Sequence, residues 1–205
     1  MRAFLAIISC VRDQRRGCHD AIRRTYLRLG AGLLPHKFYM GADAEREYPD
    51  EIQLAAGDGY NETYQKNNGI VRDFLRTDYT HLIMGDVDTY FCIERLLLCG
   101  FDTHDYTGRR CAEGHAGGGN GYCLSRRAVE ILRDHPLIGC SYNDLELGTI
   151  LRDHGVHVWD RSDIFLSHIP TSWPVNAVSA HLGTGTGTWD PQRLIDFHSL
   201  ALTPH

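Results

Sequence analysis

Two aspartates one residue apart, Asp86 and Asp88, carry the strongest chemical signal in the chain. They close the segment Thr80-His81-Leu82-Ile83-Met84-Gly85-Asp86-Val87-Asp88, whose apolar run reads as a buried strand, and a second apolar patch follows through Phe91. Carboxylates beside a core are costly unless something compensates them. A divalent cation such as Mn²⁺ or Mg²⁺ would do so, taking carboxylate oxygens while leaving positions open for substrate phosphates. Ligands of open α/β sheets collect beyond the carboxyl ends of the strands. The position therefore suits a metal that holds a nucleotide diphosphate. A plain turn is the ordinary reading of an isolated Asp-x-Asp.

Two later segments add weight. Ala116-Gly117-Gly118-Gly119-Asn120-Gly121-Tyr122-Cys123-Leu124-Ser125 reads as a glycine-rich bend running into an amphipathic helix from Arg126, with Ser125 at the N-cap. Glycines let a backbone approach a ligand closely, although a tight turn without a ligand needs them too. Asn143-Asp144-Leu145-Glu146-Leu147-Gly148 opens another helical pattern. Acids in a first helical turn complement the helix dipole, so their presence alone does not mark a site.

In their order along the chain, these segments resemble the β-1,3-glycosyltransferases, the group of the fringe, β-1,3-galactosyltransferase and β-1,3-N-acetylglucosaminyltransferase enzymes. The resemblance spans nearly the whole chain. Ala21-Ile22-Arg23-Arg24-Thr25-Tyr26 is similar to that family's "IRxTW", and Asp58-Gly59-Tyr60-Asn61-Glu62-Thr63-Tyr64-Gln65-Lys66 to its "DxYxNLTxK". Gly85-Asp86-Val87-Asp88 matches the metal motif, with Gly85 where many members carry a further acid. Gly118 to Ser125 is close to "GGxGYxLS", and Asn143 to Gly148 to "EDVxxG", with Asn143 in place of the first acid. Asp190 to Leu200 looks like the family's closing helix.

The resemblance implies a GT-A type α/β fold, a mostly parallel central sheet flanked by helices, as a single domain over 1–205. It also implies metal-dependent, inverting transfer of a hexose (galactose, glucose or N-acetylglucosamine) from a UDP-sugar to a glycan hydroxyl, with a β-1,3 linkage. Asp88 is the first choice as metal ligand, with Asp86 on the metal, the ribose or a metal-bound water. The fold commonly adds a histidine from the carboxyl-terminal region, for which His181 is the candidate and His168 the runner-up. Asp144 matches the catalytic base, with Glu146 the alternative. Gly118, Gly119 and Tyr122 would line the sugar pocket, while Lys66 as a point charge and Arg23 as a bidentate donor would meet the diphosphate. Two other classes would keep some of these features, a nucleotidyltransferase and a catalytically silent glycan-binding domain. A Rossmann oxidoreductase is disfavoured, because the glycines come late and do not follow the first strand.

The elements that must position these residues alternate. Strands are expected over Ala3 to Cys10, Lys37 to Met40, Ile52 to Ala55, Tyr79 to Met84, Tyr106 to Gly108 and Val156 to Trp159. Helices are expected over His19 to Leu29, Thr63 to Leu75, Ile93 to Cys99, from Arg126 towards Pro136, from Asp144, and over Arg193 to Leu200. Such alternation argues for a mostly parallel sheet covered on both faces. The Gly/Thr patch Thr184-Gly185-Thr186-Gly187-Thr188 reads either as a lid over bound donor or as a passive surface loop.

Composition bounds the remaining possibilities. With 205 residues, 42% hydrophobic and 23% charged, the chain can bury a substantial core. A formal charge of −5 carries no basic footprint for nucleic acid. No apolar run approaches the roughly 20 residues of a membrane helix. The family's Golgi members usually carry an anchor and stem. The expectation here is a soluble bacterial or viral enzyme of the cytosol in its natural short form, the alternative being a trimmed lumenal domain. Seven cysteines form no CxxC pair and no zinc spacing, which favours reduced thiols. A disulfide between Cys111 and Cys123 or between Cys92 and Cys99 stays open at this point.

Overall fold

The computed structural model describes residues 1–167, 174, 176–183 and 190–202. In chain order its main elements are β1 (Ala3–Ile8), α1 (Val11–Arg15), α2 (Cys18–Arg24), α3 (Tyr26–Leu29), β2 (His36–Met40), β3 (Glu51–Gln53), α4 (Thr63–Leu75), β4 (His81–Asp86), β5 (Thr89–Phe91), α5 (Ile93–Leu98), β6 (Tyr106–Gly108), β7 (Tyr122–Ser125), α6 (Arg126–Asp134), α7 (Asn143–Asp153), β8 (Trp159–Asp160), β9 (Phe165–Leu166), β10 (Ser179–His181) and α8 (Pro191–Leu202). Seven strands form the main sheet in the order β3-β2-β1-β4-β7-β6-β8, and β5-β10-β9 form a smaller one. The neighbours from β3 to β4 are all parallel, whereas β7 runs antiparallel between β4 and β6.

The central strands β1 and β4 are buried on both faces, as their apolar runs require. Side chains alternate across the pleat. Leu5, Ile7 and Ile83 join Ile22, Tyr26 and Phe91 in one core layer, while Phe4, Ala6, Leu82 and Met84 join Ile70, Phe74, Val129 and Leu151 in the other. α4 spans the expected residues and buries Ile70, Val71 and Phe74. Ser125 caps α6, its Oγ accepting from Ala128 N–H.

The sequence reading and the fold differ at several places. The helix expected over His19 to Leu29 is broken at Thr25, whose Oγ1 donates to Ala21 O (2.7 Å) and whose backbone leaves the helical region. A threonine hydroxyl that bonds back to the preceding turn competes with the helical ladder in this way. The glycine-rich bend is shorter than expected and gives way to β7, and the apolar patch after Asp88 forms β5. The strand expected over Val156 to Trp159 pairs only at Trp159–Asp160. All seven cysteines are free thiols. Among the described residues, no helix is long and apolar enough to cross a membrane.

Candidate active site

β4 ends at Asp86, and the two-residue turn Val87-Asp88 passes the chain to β5. Thr89 fixes this turn: its Oγ1 accepts from Asp86 N–H (3.1 Å) and donates to Gly119 O (3.0 Å). The turn is thereby tied to the glycine segment. Gly85, which stands where related motifs carry an acid, has no room for a side chain, since a Cβ would lie 2.7 Å from the Phe91 ring.

β10 lies antiparallel to β5 and sets His181 opposite Thr89. His181 Nε2 stands 3.2 Å from Asp88 Oδ2. Asp88 Oδ1 is buried and has no hydrogen-bond partner among the described residues. Space beside the pair is kept open by glycine: a Cβ on Gly119 would stand 2.8 Å from His181 Nε2, and one on Gly183 would strike both Asp88 and His181.

The donor set fits a hard divalent cation. Carboxylate oxygens suit Mn²⁺ or Mg²⁺, and Asp88 Oδ1 is the atom such an ion would satisfy. Among the described residues, no three His, Cys, Asp or Glu side chains are gathered as a complete metal cage. Asp88 and His181 face each other at hydrogen-bond distance instead, and ions of this class commonly complete their shells with water and substrate phosphates. His168 and the Gly/Thr patch 184–188 lie outside the described residues.

Electrostatics mark the same cluster. Removal from water, then the negative charges of Asp88 and Asp144, push the Asp86 carboxyl up to about 7, with His181 opposing them. The hydrogen bond to Asp88 raises the His181 pKa against the opposing effect of burial. Burial is the larger cause for Asp86, and neighbouring carboxylate charge contributes to both shifts.

Asp144 reaches this cluster from the first turn of α7. Its Oδ2 accepts from Gly118 N–H (3.0 Å) and its Oδ1 from Leu145 N–H (2.9 Å). His115 Nε2 lies 3.7 Å from the same Oδ2. Buried His115 was not foreseen, and nothing in the sequence separates it from the other eleven histidines. Its one trace is Gly148, which is bare because His115 packs against it. Tyr122 is buried beneath the acids and crosses Tyr106 edge to face. Burial first, then Tyr106, Asp144 and Asp86, drive its hydroxyl well above the usual phenol value.

Three predicted residues have other partners. Glu146 is buried, and its two oxygens accept from Ile138 N–H (2.8 Å) and Gly139 N–H (3.0 Å), so it anchors the loop before α7. Arg23 donates to Asp50 (2.8 and 3.0 Å), Glu51 (2.8 Å) and Asp20 (3.1 Å), and lies over the Tyr48 ring. Lys66 sits buried at the carboxyl end of β1, donating to Ser9 O (2.7 Å) and Asp58 Oδ1 (2.6 Å). Among the described residues, no hydrogen bond or ion pair joins Arg23 or Lys66 to Asp86, Asp88 or Asp144.

No protein-family model matches the chain, and no curated protein matches it. Solved structures do match its fold. A mannosyltransferase, PcManGT from Pyrobaculum calidifontis in complex with GDP-Man and Mn²⁺, aligns over 91% of this chain and 58% of its own length at 11% identity and a TM-score of 0.58. This chain thus spans little more than half of that protein. A glycosyltransferase involved in glycosylation of the major capsid of PBCV-1 aligns over 96% of this chain and 99% of its own, at 11% identity and a TM-score of 0.54. The fold is therefore that of the GT-A type nucleotide-diphospho-sugar transferases.

Proposed function

We propose that this GT-A fold protein is a metal-dependent glycosyltransferase that moves a hexose from a UDP-sugar to a glycan hydroxyl with inversion. The choice of UDP, the β-1,3 linkage and a galactose, glucose or N-acetylglucosamine donor rest on the motif resemblance. One observation carries the reading. Asp88 from the β4–β5 turn and His181 from β10 face each other beyond the carboxyl end of β4, Asp86 and Asp144 act on the same region through their charges, and among the described residues no arginine or lysine pairs with any of them. The two solved neighbours support it in kind. One was captured with a nucleotide sugar and Mn²⁺, and the other is a glycosyltransferase acting in capsid glycosylation.

In this reading Asp144 takes the proton of the acceptor hydroxyl. The freed oxygen bonds to the anomeric carbon as the bond from that carbon to the diphosphate oxygen breaks, and UDP leaves with the electron pair. A cation held by Asp88, Asp86 and His181 would stabilise negative charge on the departing diphosphate. Gly118 N–H aims the Asp144 carboxylate, and His115 stands behind it. Bare Gly118 and Gly119 leave room for the sugar, with Tyr122 as the floor. Arg23 and Lys66, each matched by carboxylates of its own, brace the ends of β1, β2 and β3 in this scheme.

The test is release of nucleotide diphosphate from UDP-galactose, UDP-glucose, UDP-N-acetylglucosamine and GDP-mannose, with Mn²⁺ or with EDTA. The proposal expects metal-dependent release from one UDP-sugar. Release from GDP-mannose alone would overturn the UDP assignment. If no donor is turned over and none binds in a metal-dependent way, the transferase reading fails.

A further inference from the structure

A second concave site lies outside the acid cluster. Arg110, Glu113, Gly114, Arg152 and His157 are among the residues lining a cavity of about 270 Å³. Its two arginines flank Gly114. A methyl-sized group on Gly114 would stand 3.7 Å from Arg152 Nη1 and 4.0 Å from Arg110 Nη2. Among the described residues neither side chain forms an ion pair with a carboxylate, Arg110 being exposed and Arg152 half-buried.

The neighbouring groups hold the arginines in place without forming an ion pair with either. Arg152 donates to two uncharged acceptors, Glu113 O (3.0 Å) and Thr149 Oγ1 (3.2 Å). Asp160 feels the charge of Arg110 without forming an ion pair with it, and its Oδ1 accepts from Arg110 N–H (3.1 Å), Ser162 N–H (3.0 Å) and Ser162 Oγ (2.5 Å). Glu113, the acid among the lining residues, has an exposed side chain whose Oε2 stands 4.0 Å from His115 Nδ1. Two guanidinium forks lining one cavity, neither of them in an ion pair, are a donor arrangement that recognises phosphate and carboxylate groups.

From this geometry we infer that the cavity seats an oxyanion, a phosphate or carboxylate group, carried by the acceptor. The acceptor assignment rests on the proposed transferase function. α7 carries Asp144 in its first turn and Arg152 near its last. Their separation of eight residues places the cavity about 12 Å along the helix from the base. The loop that lines the cavity also continues into Gly117 and Gly118, whose N–H holds Asp144. A charged group on the acceptor, anchored there, would hold a hydroxyl against the base.

The experiment titrates the intact chain, without donor, by calorimetry with inorganic phosphate, glucose 6-phosphate and glucuronate. Wild type, Arg110→Gln, Arg152→Gln and the double variant are compared, and nucleotide release from donor alone is followed in parallel. The expected result is saturable binding of a phosphate probe or of glucuronate, whichever source applies. Each single variant should weaken it about tenfold or more, and the double variant should abolish it with donor hydrolysis unchanged. The proposal is overturned if wild type binds none of the probes, or if the double variant binds them as wild type does. Anion binding is read with no donor present, so its failure and a failure of the donor assay are separate results.

Discussion

Two charged clusters sit on the same sheet, and they differ in whether their charges are met. Beside β2 and β3, Arg23 is shared among Asp20, Asp50 and Glu51, while His19 bridges Ser9 Oγ and Glu51 Oε1 at 2.7 Å each. At the end of β4, Asp88 and Asp144 face imidazoles, no arginine or lysine pairs with them or with Asp86 among the described residues, and Asp88 Oδ1 has no partner there. The carboxyl groups record the contrast. Burial alone would raise Glu51, but its bonds from His19 and Arg23 outweigh that and bring it down to about 2. Asp86 is pushed the other way, to about 7. A saturated network supports the fold, whereas an unsaturated one is available to a ligand.

If that division holds, substitutions in one cluster should change chemistry and those in the other should change stability. The largest effect is expected for Asp144→Asn, which removes the base: turnover should fall about 10²–10⁴-fold, with the melting temperature nearly unchanged. Glu51→Ala should do the reverse. It leaves buried His19 Nδ1 without its partner and takes one of three carboxylates from Arg23, which keeps Asp50 and Asp20, at about 1–3 kcal/mol. That is a loss of roughly 2–12 °C in melting temperature at this chain length, with turnover of the folded enzyme at low temperature preserved.

A third prediction concerns pH. Burial lowers the His19 pKa below its ordinary 6.5 despite the opposing pull of Glu51, and Glu51 itself falls from 4.5 to about 2. In both windows the unfolded chain binds more protons than the folded one. The contribution of His19 and Glu51 to stability should therefore fall with acid, beginning just below pH 6.5 and continuing through pH 4.5 towards 2. Asp86, raised from 3.8 to about 7, acts in the opposite direction between those two values. Urea unfolding of wild type and His19→Gln across this range should show the slope of the His19 part as the difference between them. The smallest effect is expected for Glu146→Gln. It weakens the two bonds to Ile138 and Gly139, costing about 1–3 kcal/mol, and leaves turnover within a few-fold of wild type. A collapse of turnover there would move the base from Asp144 to Glu146.

Much of this was legible in the sequence because it is local. Apolar runs announced β1 and β4, the 3.6-residue period announced α4, and Ser125 announced the start of α6. The acidic pair, the glycine segment and the Asp144 helix were each visible, and their order pointed to the fold. What escaped depends on long-range contact. His115 is recruited to Asp144 only by the packing of a loop on α7, and β5 and β10 become strands only by pairing with each other. Arg23 and Lys66 could be read as cations near a motif, but their partners Asp50, Glu51 and Asp58 are set by the register of β1, β2 and β3. The crowding of Gly85 by Phe91 likewise appears only when β5 folds back on β4.

The most direct test makes the same chemical change in both clusters and measures Mn²⁺ binding by electron paramagnetic resonance in the presence of UDP. Asp88→Asn should weaken binding by about tenfold or more, whereas Asp50→Asn should bind Mn²⁺ as wild type does. Equal binding by wild type and Asp88→Asn would contradict the assignment of the β4 acids as the site of chemistry.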